Sequence, residues 1–142
     1  MYRKILVAVD NSAADGSLLE HVTALAKSVN AELLLVHVSS GVAARYYDSL
    51  RLADSQEMKD AEAYLTRTAE TLRATGVRVS TLHARGEPPA EILKAAAGEQ
   101  CDLIALGGHG HRFLADLFLG STADAVRHAA SVPLLIVRRQ RP

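Results

Sequence analysis

The sequence lacks most of the features that mark secreted, disulfide-stabilised or nucleic-acid-binding proteins. Its 142 residues include one cysteine and no tryptophan, and only 4% of them are aromatic. A single cysteine cannot form an internal disulfide, so the composition favours a reducing compartment. Sixteen Lys and Arg residues balance sixteen Asp and Glu residues. This balance argues against an extended nucleic-acid or anionic-membrane surface, because both need a surplus of positive charge.

Long hydrophobic runs are also missing. No apolar run approaches the roughly 20 residues of a membrane span, and Met1 to Lys4 lead straight into strand-like sequence without a signal-peptide pattern. Hydrophobic residues nevertheless make up 49% of the chain, enough for a sizeable core, which must be aliphatic because aromatics are scarce. We therefore expect a cytoplasmic protein without a membrane span, forming one domain over residues 1–142.

Short apolar runs alternate with helical patterns along the whole chain. The predicted strands are residues 5–9, 33–38, 77–82, 102–106 and 134–137. The first predicted helix ends at Asn30 and begins either near Ser12 or with a capping box of Ser17 and Glu20. The others are residues 54–75, a helix opened by Pro88 and a helix from Gly120 to before Pro133, whereas residues 39–53 predict a long connection.

This alternation predicts an α/β fold: a single doubly wound domain whose parallel sheet is covered by helices on both faces. Ligands of such sheets bind at the carboxyl ends of the strands, which here selects 10–12, 38–40 and 107–110. Three glycines in 107–110 allow close approach of a ligand, and a helix start at Gly120-Ser121-Thr122 favours an anion. A tight turn and a simple helix cap would explain the same residues. Neither a P-loop lysine motif nor Gly-x-Gly-x-x-Gly after the first strand is present.

The glycine spacing resembles a known signature. Gly107-x2-Gly110-x9-Gly120-Ser121 is similar to the Gly-x2-Gly-x9-Gly-(Ser/Thr) motif of ATP-binding universal stress proteins. Further landmarks of that family follow in the same order, at residues 4–10, 34–38, 86–88 and 132–137, so the resemblance covers essentially the whole chain.

The resemblance implies a fold, a ligand and an assembly. It implies a five-stranded parallel sheet in the order 3-2-1-4-5, and a homodimer formed through the last strand, Leu134 to Val137. It also implies ATP, with Mg²⁺ or Mn²⁺ bridging the phosphates. Asp10 would meet the ribose, and the main chain of Val38 the adenine. The residues that would hold the ribose and phosphates are Gly107, Gly110, Gly120, Ser121 and Thr122.

The function expected from this resemblance is a nucleotide-dependent stress-response module. The alternatives are a slow ATP-hydrolysing enzyme with Asp10 as its base, and a family member that has lost nucleotide binding and acts through protein contacts. Gly108 stands where the family commonly has Ser or Thr, and His111 where it has Arg or Lys. Because an imidazole is mostly neutral at pH 7, we expect weaker or pH-dependent ATP binding.

Other reactive side chains predict structural roles. Cys101 precedes a buried strand, and His37 lies within one, so both are expected to pack in the core. His109 and His111 lack further ligands at short spacing, which argues against a dedicated metal site. A phosphorelay receiver is disfavoured because a single Asp10 follows the first strand where an acidic pair is needed.

Overall fold

The computed structural model describes residues 1–39, 48–108 and 121–139, and only the helical backbone of residues 48–55. Within these ranges five strands alternate with four helices. In chain order they are β1 (Lys4–Ala8), α1 (Ala14–Val29), β2 (Glu32–Ser39), α2 (Asp48–Arg73), β3 (Val79–Arg85), α3 (Pro88–Gly98), β4 (Leu103–Gly108), α4 (Ser121–Ala129) and β5 (Leu134–Arg138). All strand pairs are parallel and the order is β3-β2-β1-β4-β5. The predicted doubly wound α/β fold and its strand order are confirmed.

The first helix begins earlier than a capping box would place it. The Ser12 side-chain oxygen accepts the N–H of Ala14 at 3.3 Å, and the Ser12 carbonyl accepts that of Asp15 at 3.1 Å. The capping box of Ser17 and Glu20 is therefore wrong, because the turn at Ser12 has already started the helix. Its predicted end is confirmed: Asn30 adopts a left-handed conformation with φ of 58°.

Two other boundaries differ from the sequence prediction. Residues 48–53 belong to α2 rather than to a connection, since Leu50 to Ala53 are good helix formers even without an amphipathic period. Strand β3 begins at Val79 rather than at residue 77, because Gly76, with φ of 99°, and its neighbours are needed to reverse the chain. It then continues to Arg85, which pairs with Ser39 at the end of β2.

The core has two aliphatic layers, one on each face of the sheet. Leu33 and Leu35 of β2 face α1 and α2, whereas Leu34 and Val36 face α3 and α4. Cys101 belongs to the second layer, where burial raises the pKa of its thiol to about 11. It is therefore a protonated packing residue at neutral pH, as expected. Among the described residues, no helix has both the length and the apolar character to cross a membrane.

Candidate functional site

A cavity of about 260 Å³ opens at the carboxyl ends of the central strands. Strands β1, β2 and β4, the first turns of α3 and α4 and the start of α1 contribute its walls. The residues predicted from the sequence that line it are Asp10, Val38, Gly107, Ser121 and Thr122. Gly110 and Gly120 lie outside the described residues, as do His109 and His111. Five of the seven predicted site residues are thus brought to one place.

The cavity combines an apolar slot with a polar rim. Its apolar walls are Val36, Val38, Ile92 and Leu106, and its polar side chains are Asp10, Asp15, Ser121 and Thr122. This mixture is typical of small-molecule sites, in which a few polar groups orient a largely apolar contact. Helix α4 begins at the rim, so its free N–H groups and the positive end of its dipole favour an anion there. None of the described lining residues carries a positive charge.

The turn after β1 is held together by two carboxylates. We call residues Asp10 to Ser12 the Asp10 turn. The Asp10 side chain accepts the N–H of Ser12 at 3.0 Å, and Asn11 has a φ of 60°. The Asp15 carboxylate accepts the N–H of Asp10 at 3.3 Å and that of Asn11 at 2.8 Å. The Tyr64 hydroxyl of α2 donates to the same carboxylate at 2.5 Å.

Asp15 is the functional candidate that the sequence analysis missed. Its side chain is buried, at 5% exposure, yet it lines the cavity. Burial raises the pKa of Asp15 above its usual value, and the nearby Asp10 charge adds to this, whereas the hydrogen bonds from Tyr64 and the two amides oppose it. Burial and the bond to Asp15 raise the pKa of Tyr64, so its phenol stays a neutral donor. No local pattern links Asp15 to a tyrosine 49 residues away.

The histidine expected in the core supports the strand ends beneath the site. His37 Nδ1 donates to the carbonyl of Val9 at 3.0 Å, which ties the end of β2 to the residue before Asp10. Its neighbour across the sheet, His83, makes a 2.7 Å hydrogen bond through Nε2 to the Ser39 hydroxyl. The ring of His37 is half-buried and its Nδ1 is satisfied, in accord with a structural role.

The first two glycines of the predicted loop are strand residues. Gly107 and Gly108 belong to β4, which ends two residues later than predicted, and neither has a positive φ. A Cβ at Gly107 would meet that of Ala14 at an ordinary 3.6 Å. A Cβ at Gly108 would lie only 3.2 Å from a methyl group of Ile136. A larger residue at position 108 would therefore require the side chain of Ile136 to move.

With this geometry in place, comparison with known proteins decides the family. The model of the universal stress protein family matches residues 1–138. The chain belongs to the universal stress protein family. Universal stress protein YxiE of Bacillus subtilis is 31% identical over 97% of this chain and 100% of its own length. The solved structure of MJ0577, a universal stress protein from Methanocaldococcus jannaschii, superimposes with a TM-score of 0.85 at 28% identity, covering 100% of this chain and 99% of that one.

Two structures of the same fold contain nucleotides. One is a universal stress protein in complex with cAMP, with a TM-score of 0.72 at 20% identity over 96% of this chain and 97% of that one. The other is the universal stress protein from Archaeoglobus fulgidus in complex with dAMP, with a TM-score of 0.70 at 21% identity over 96% of this chain and 98% of that one. At these identities the similarity shows the fold alone. The two complexes show that some universal stress protein structures hold nucleotides.

The donors at the rim of this universal stress protein suit a metal that is bound mainly through a ligand. Among the described residues, no group of three or more His, Cys, Asp or Glu side chains is placed to hold a metal ion by itself. Mg²⁺ commonly uses one or two carboxylates together with phosphate oxygens and water. Asp10, Ser121 and Thr122 offer oxygen atoms of this kind at the cavity. These side chains therefore suit a cation that is coordinated mainly by the phosphate oxygens of a ligand and only in part by the protein.

Proposed function

We propose that this universal stress protein binds an adenine nucleotide, ATP together with Mg²⁺ or Mn²⁺, and acts as a nucleotide-dependent stress-response module. The observation that carries the proposal is the single cavity in which Asp10, Val38, Gly107, Ser121 and Thr122 meet. These residues come from four separate parts of the chain. If the glycines only formed a tight turn and the hydroxyls only capped a helix, the residues would have no reason to line the same cavity. The proposed unit is one domain over residues 1–142, acting in the cytoplasm.

Each wall of the cavity suits a different part of the ligand. The slot formed by Val36, Val38, Ile92 and Leu106 is apolar and suits a flat base. The base would also reach the main chain of Val38 at the end of β2, and the exposed Asp10 carboxylate accepts hydrogen bonds, as a ribose hydroxyl requires.

The phosphate end of the ligand would depend on a helix and a cation. The hydroxyls of Ser121 and Thr122 and the first amides of α4 are hydrogen-bond donors for phosphate oxygens. Asp10 and Asp15 add negative charge to the same cavity. A divalent cation would offset the repulsion between these carboxylates and the phosphates, so we expect ATP to bind more tightly with Mg²⁺ or Mn²⁺ than without.

The first experiment asks whether a nucleotide is bound. Purified protein is denatured, any released nucleotide is separated by chromatography, and binding of added ATP with Mg²⁺ is measured by calorimetry. Asp10→Ala should weaken ATP binding about 10-fold to 100-fold, since a hydrogen bond to a charged group contributes about 1.5–3 kcal/mol. Asp60→Asn, an exposed carboxylate on α2, is the control and should leave the affinity unchanged.

The same samples test the alternatives. Recovery of no nucleotide, together with no binding of added ATP, would contradict the proposal and favour a member of the family that acts through protein contacts. Release of inorganic phosphate that stops in Asp10→Asn would instead make the protein an ATP-hydrolysing enzyme. Retained nucleotide without phosphate release is the result expected for a binding module.

We also propose a homodimer formed through β5. This strand lies at one edge of the sheet, next to β4, and its residues Leu134 to Val137 are only half-buried. An apolar edge strand exposes unpaired backbone groups and favours aggregation unless another strand covers it. Sedimentation equilibrium should therefore give the mass of two chains. A mass of 15.2 kDa, that of one chain, would contradict the dimer.

A further inference from the structure

We propose that Asp15 and Tyr64 are positioning residues that hold the Asp10 turn in the shape that receives the nucleotide, and that they link helix α2 to the site. This inference rests on the proposed function and deepens it. Asp15 lines the cavity and joins two parts of the chain: the main chain of the Asp10 turn, close to it in the sequence, and the phenol of Tyr64, 49 residues further on.

The Asp15 carboxylate does more than complement the positive end of α1, where an acidic residue is common. Asp10, Asn11 and Ser12 are exposed, so the amides of the turn would find water as a partner if Asp15 were absent. The Asp15 side chain, in contrast, is 5% exposed, and burial of a carboxylate disfavours its charged form. The fold therefore buries a carboxylate next to an exposed turn, where three hydrogen bonds offset part of the cost of its desolvation. The specific result of that arrangement is a turn whose first two amides are both bonded to one buried carboxylate.

The bonds of the turn fix Asp10 at two points. Its N–H is held by Asp15 Oδ1, and its own carboxylate is held by the N–H of Ser12. Asn11, between them, adopts a left-handed conformation and donates its N–H to Asp15 Oδ2. A ligand hydroxyl would thus meet a carboxylate that is already oriented. Less ordering would remain to be done on binding, which is the energetic advantage of preorganisation.

Tyr64 carries the connection to α2. Its hydroxyl donates to Asp15 Oδ2, the same atom that accepts the N–H of Asn11. On the same helix, Leu65 and Ala69 are buried in the core layer that also contains Leu33 and Leu35 of β2. A shift of α2 against the sheet would therefore pull on the carboxylate that holds the turn. If nucleotide binding favours the hydrogen-bonded conformation of the Asp10 turn, then by thermodynamic linkage it must also favour this position of α2.

A double-mutant cycle tests whether Asp15 acts through Asp10. Calorimetric ATP affinity is measured for the wild type, Asp15→Asn, Asp10→Ala and the double variant, each with Mg²⁺. Asp15→Asn should weaken binding about 5-fold to 10-fold when Asp10 is present, but less than about 2-fold in the Asp10→Ala background, because the turn then has no carboxylate to orient. Equal losses in both backgrounds would overturn the proposal. Tyr64→Phe should weaken binding about 3-fold.

The chain offers a matched control at the opposite end of the sheet. The Asp102 carboxylate also accepts two backbone N–H groups, those of Arg3 at 2.9 Å and Lys4 at 3.2 Å. Asp102→Asn therefore perturbs a carboxylate clamp of the same kind far from the cavity. It should leave the ATP affinity unchanged, and a loss equal to that of Asp15→Asn would overturn a specific role of Asp15.

Hydrogen exchange of the nucleotide-free protein tests the positioning without any ligand. The amides of Asp10 and Asn11 should exchange about 10-fold faster in Asp15→Asn and in Tyr64→Phe, while the core amide of Leu35 is unaffected. Tyr64→Phe keeps the Asp15 charge, so a change there reports the hydrogen bond. Unchanged exchange at Asp10 and Asn11 would overturn the inference. If the wild type binds no ATP, the proposed function fails, and the exchange rates alone decide whether Asp15 holds the turn.

Discussion

The Ala8→Phe variant is expected to fold and to lose most of its nucleotide affinity. Ala8 ends β1 and lines the cavity on the face of the sheet that α3 and α4 cover. A benzyl group at this position enters the slot between Val36 and Leu106, the strand neighbours of Ala8 on either side. It would then occupy space that we assign to the base.

The size of this effect follows from the contact that the base would lose. A base that forfeits about 100 Å² of buried apolar surface loses about 2.5 kcal/mol, or roughly 50-fold to 100-fold in affinity. The cavity of about 260 Å³ is open at the carboxyl ends of the strands, so the added ring fills a void and the sheet is not forced apart. Calorimetric titration with ATP and Mg²⁺ measures the loss, and thermal unfolding checks that the variant remains folded.

Ala63→Phe is the control for this experiment. Ala63 is an exposed alanine on α2, so the same substitution there adds an aromatic ring without touching the cavity. The ATP affinity should not change. If a folded Ala8→Phe protein bound ATP as tightly as the wild type, the nucleotide would lie elsewhere, and the assignment of Asp10 and Val38 to the site would have to be abandoned.

The part of the fold that could be predicted from the sequence depends on strong local signals. The run at residues 5–9 and the run at 33–38 are apolar because both faces of β1 and β2 are covered, so no other element fits them. Asn30 ends α1 as predicted because few other residues adopt its left-handed conformation readily. The strand order was implied by the resemblance and not by these patterns.

The boundaries that were wrong depend on partners distant in the sequence. Strand β3 extends to Arg85 because β2 offers a pairing partner as far as Ser39, and nothing in residues 77–85 themselves shows this. The glycines at 107 and 108 also remain in β4 because β5 pairs with them, through Val137 and Arg138. In both cases tertiary pairing overrides what the local residues suggest.

The candidate site divides in the same way. Asp10 and Val38 could be predicted because they lie at the carboxyl ends of β1 and β2, where doubly wound sheets place their ligands, although their roles came from the resemblance. Asp15 could not, since an acidic residue in the first turn of a helix is common and needs no ligand to explain it. Only the fold brings Tyr64 to it. The sequence thus predicts Asp10, which would contact the nucleotide, but not the hydrogen bonds of Asp15 and Tyr64 that shape the turn.

Leu35→Ala is the substitution with the largest expected effect on stability. Leu35 is fully buried in the middle of β2, between Val7 of β1 and Thr81 of β3, in the core layer beneath α1 and α2. Shortening its isobutyl group to a methyl leaves a void that the paired strands on both sides cannot close. Substitutions of this kind cost about 2–5 kcal/mol, and about 3 kcal/mol in a domain of this size lowers the Tm by roughly 10 °C.

Leu82→Ala is the control, because it shows how much stability is lost when a leucine elsewhere in the sheet is shortened to alanine. Leu82 lies on the edge strand β3 and is only partly buried, so its neighbours can relax and water can fill the space. We expect about a third of the loss seen for Leu35→Ala when urea unfolding is compared at one protein concentration, since dimerisation would make stability depend on concentration. Equal losses at the two positions would contradict the difference in burial between Leu35, which is fully buried, and Leu82, which is partly buried at the edge of the sheet.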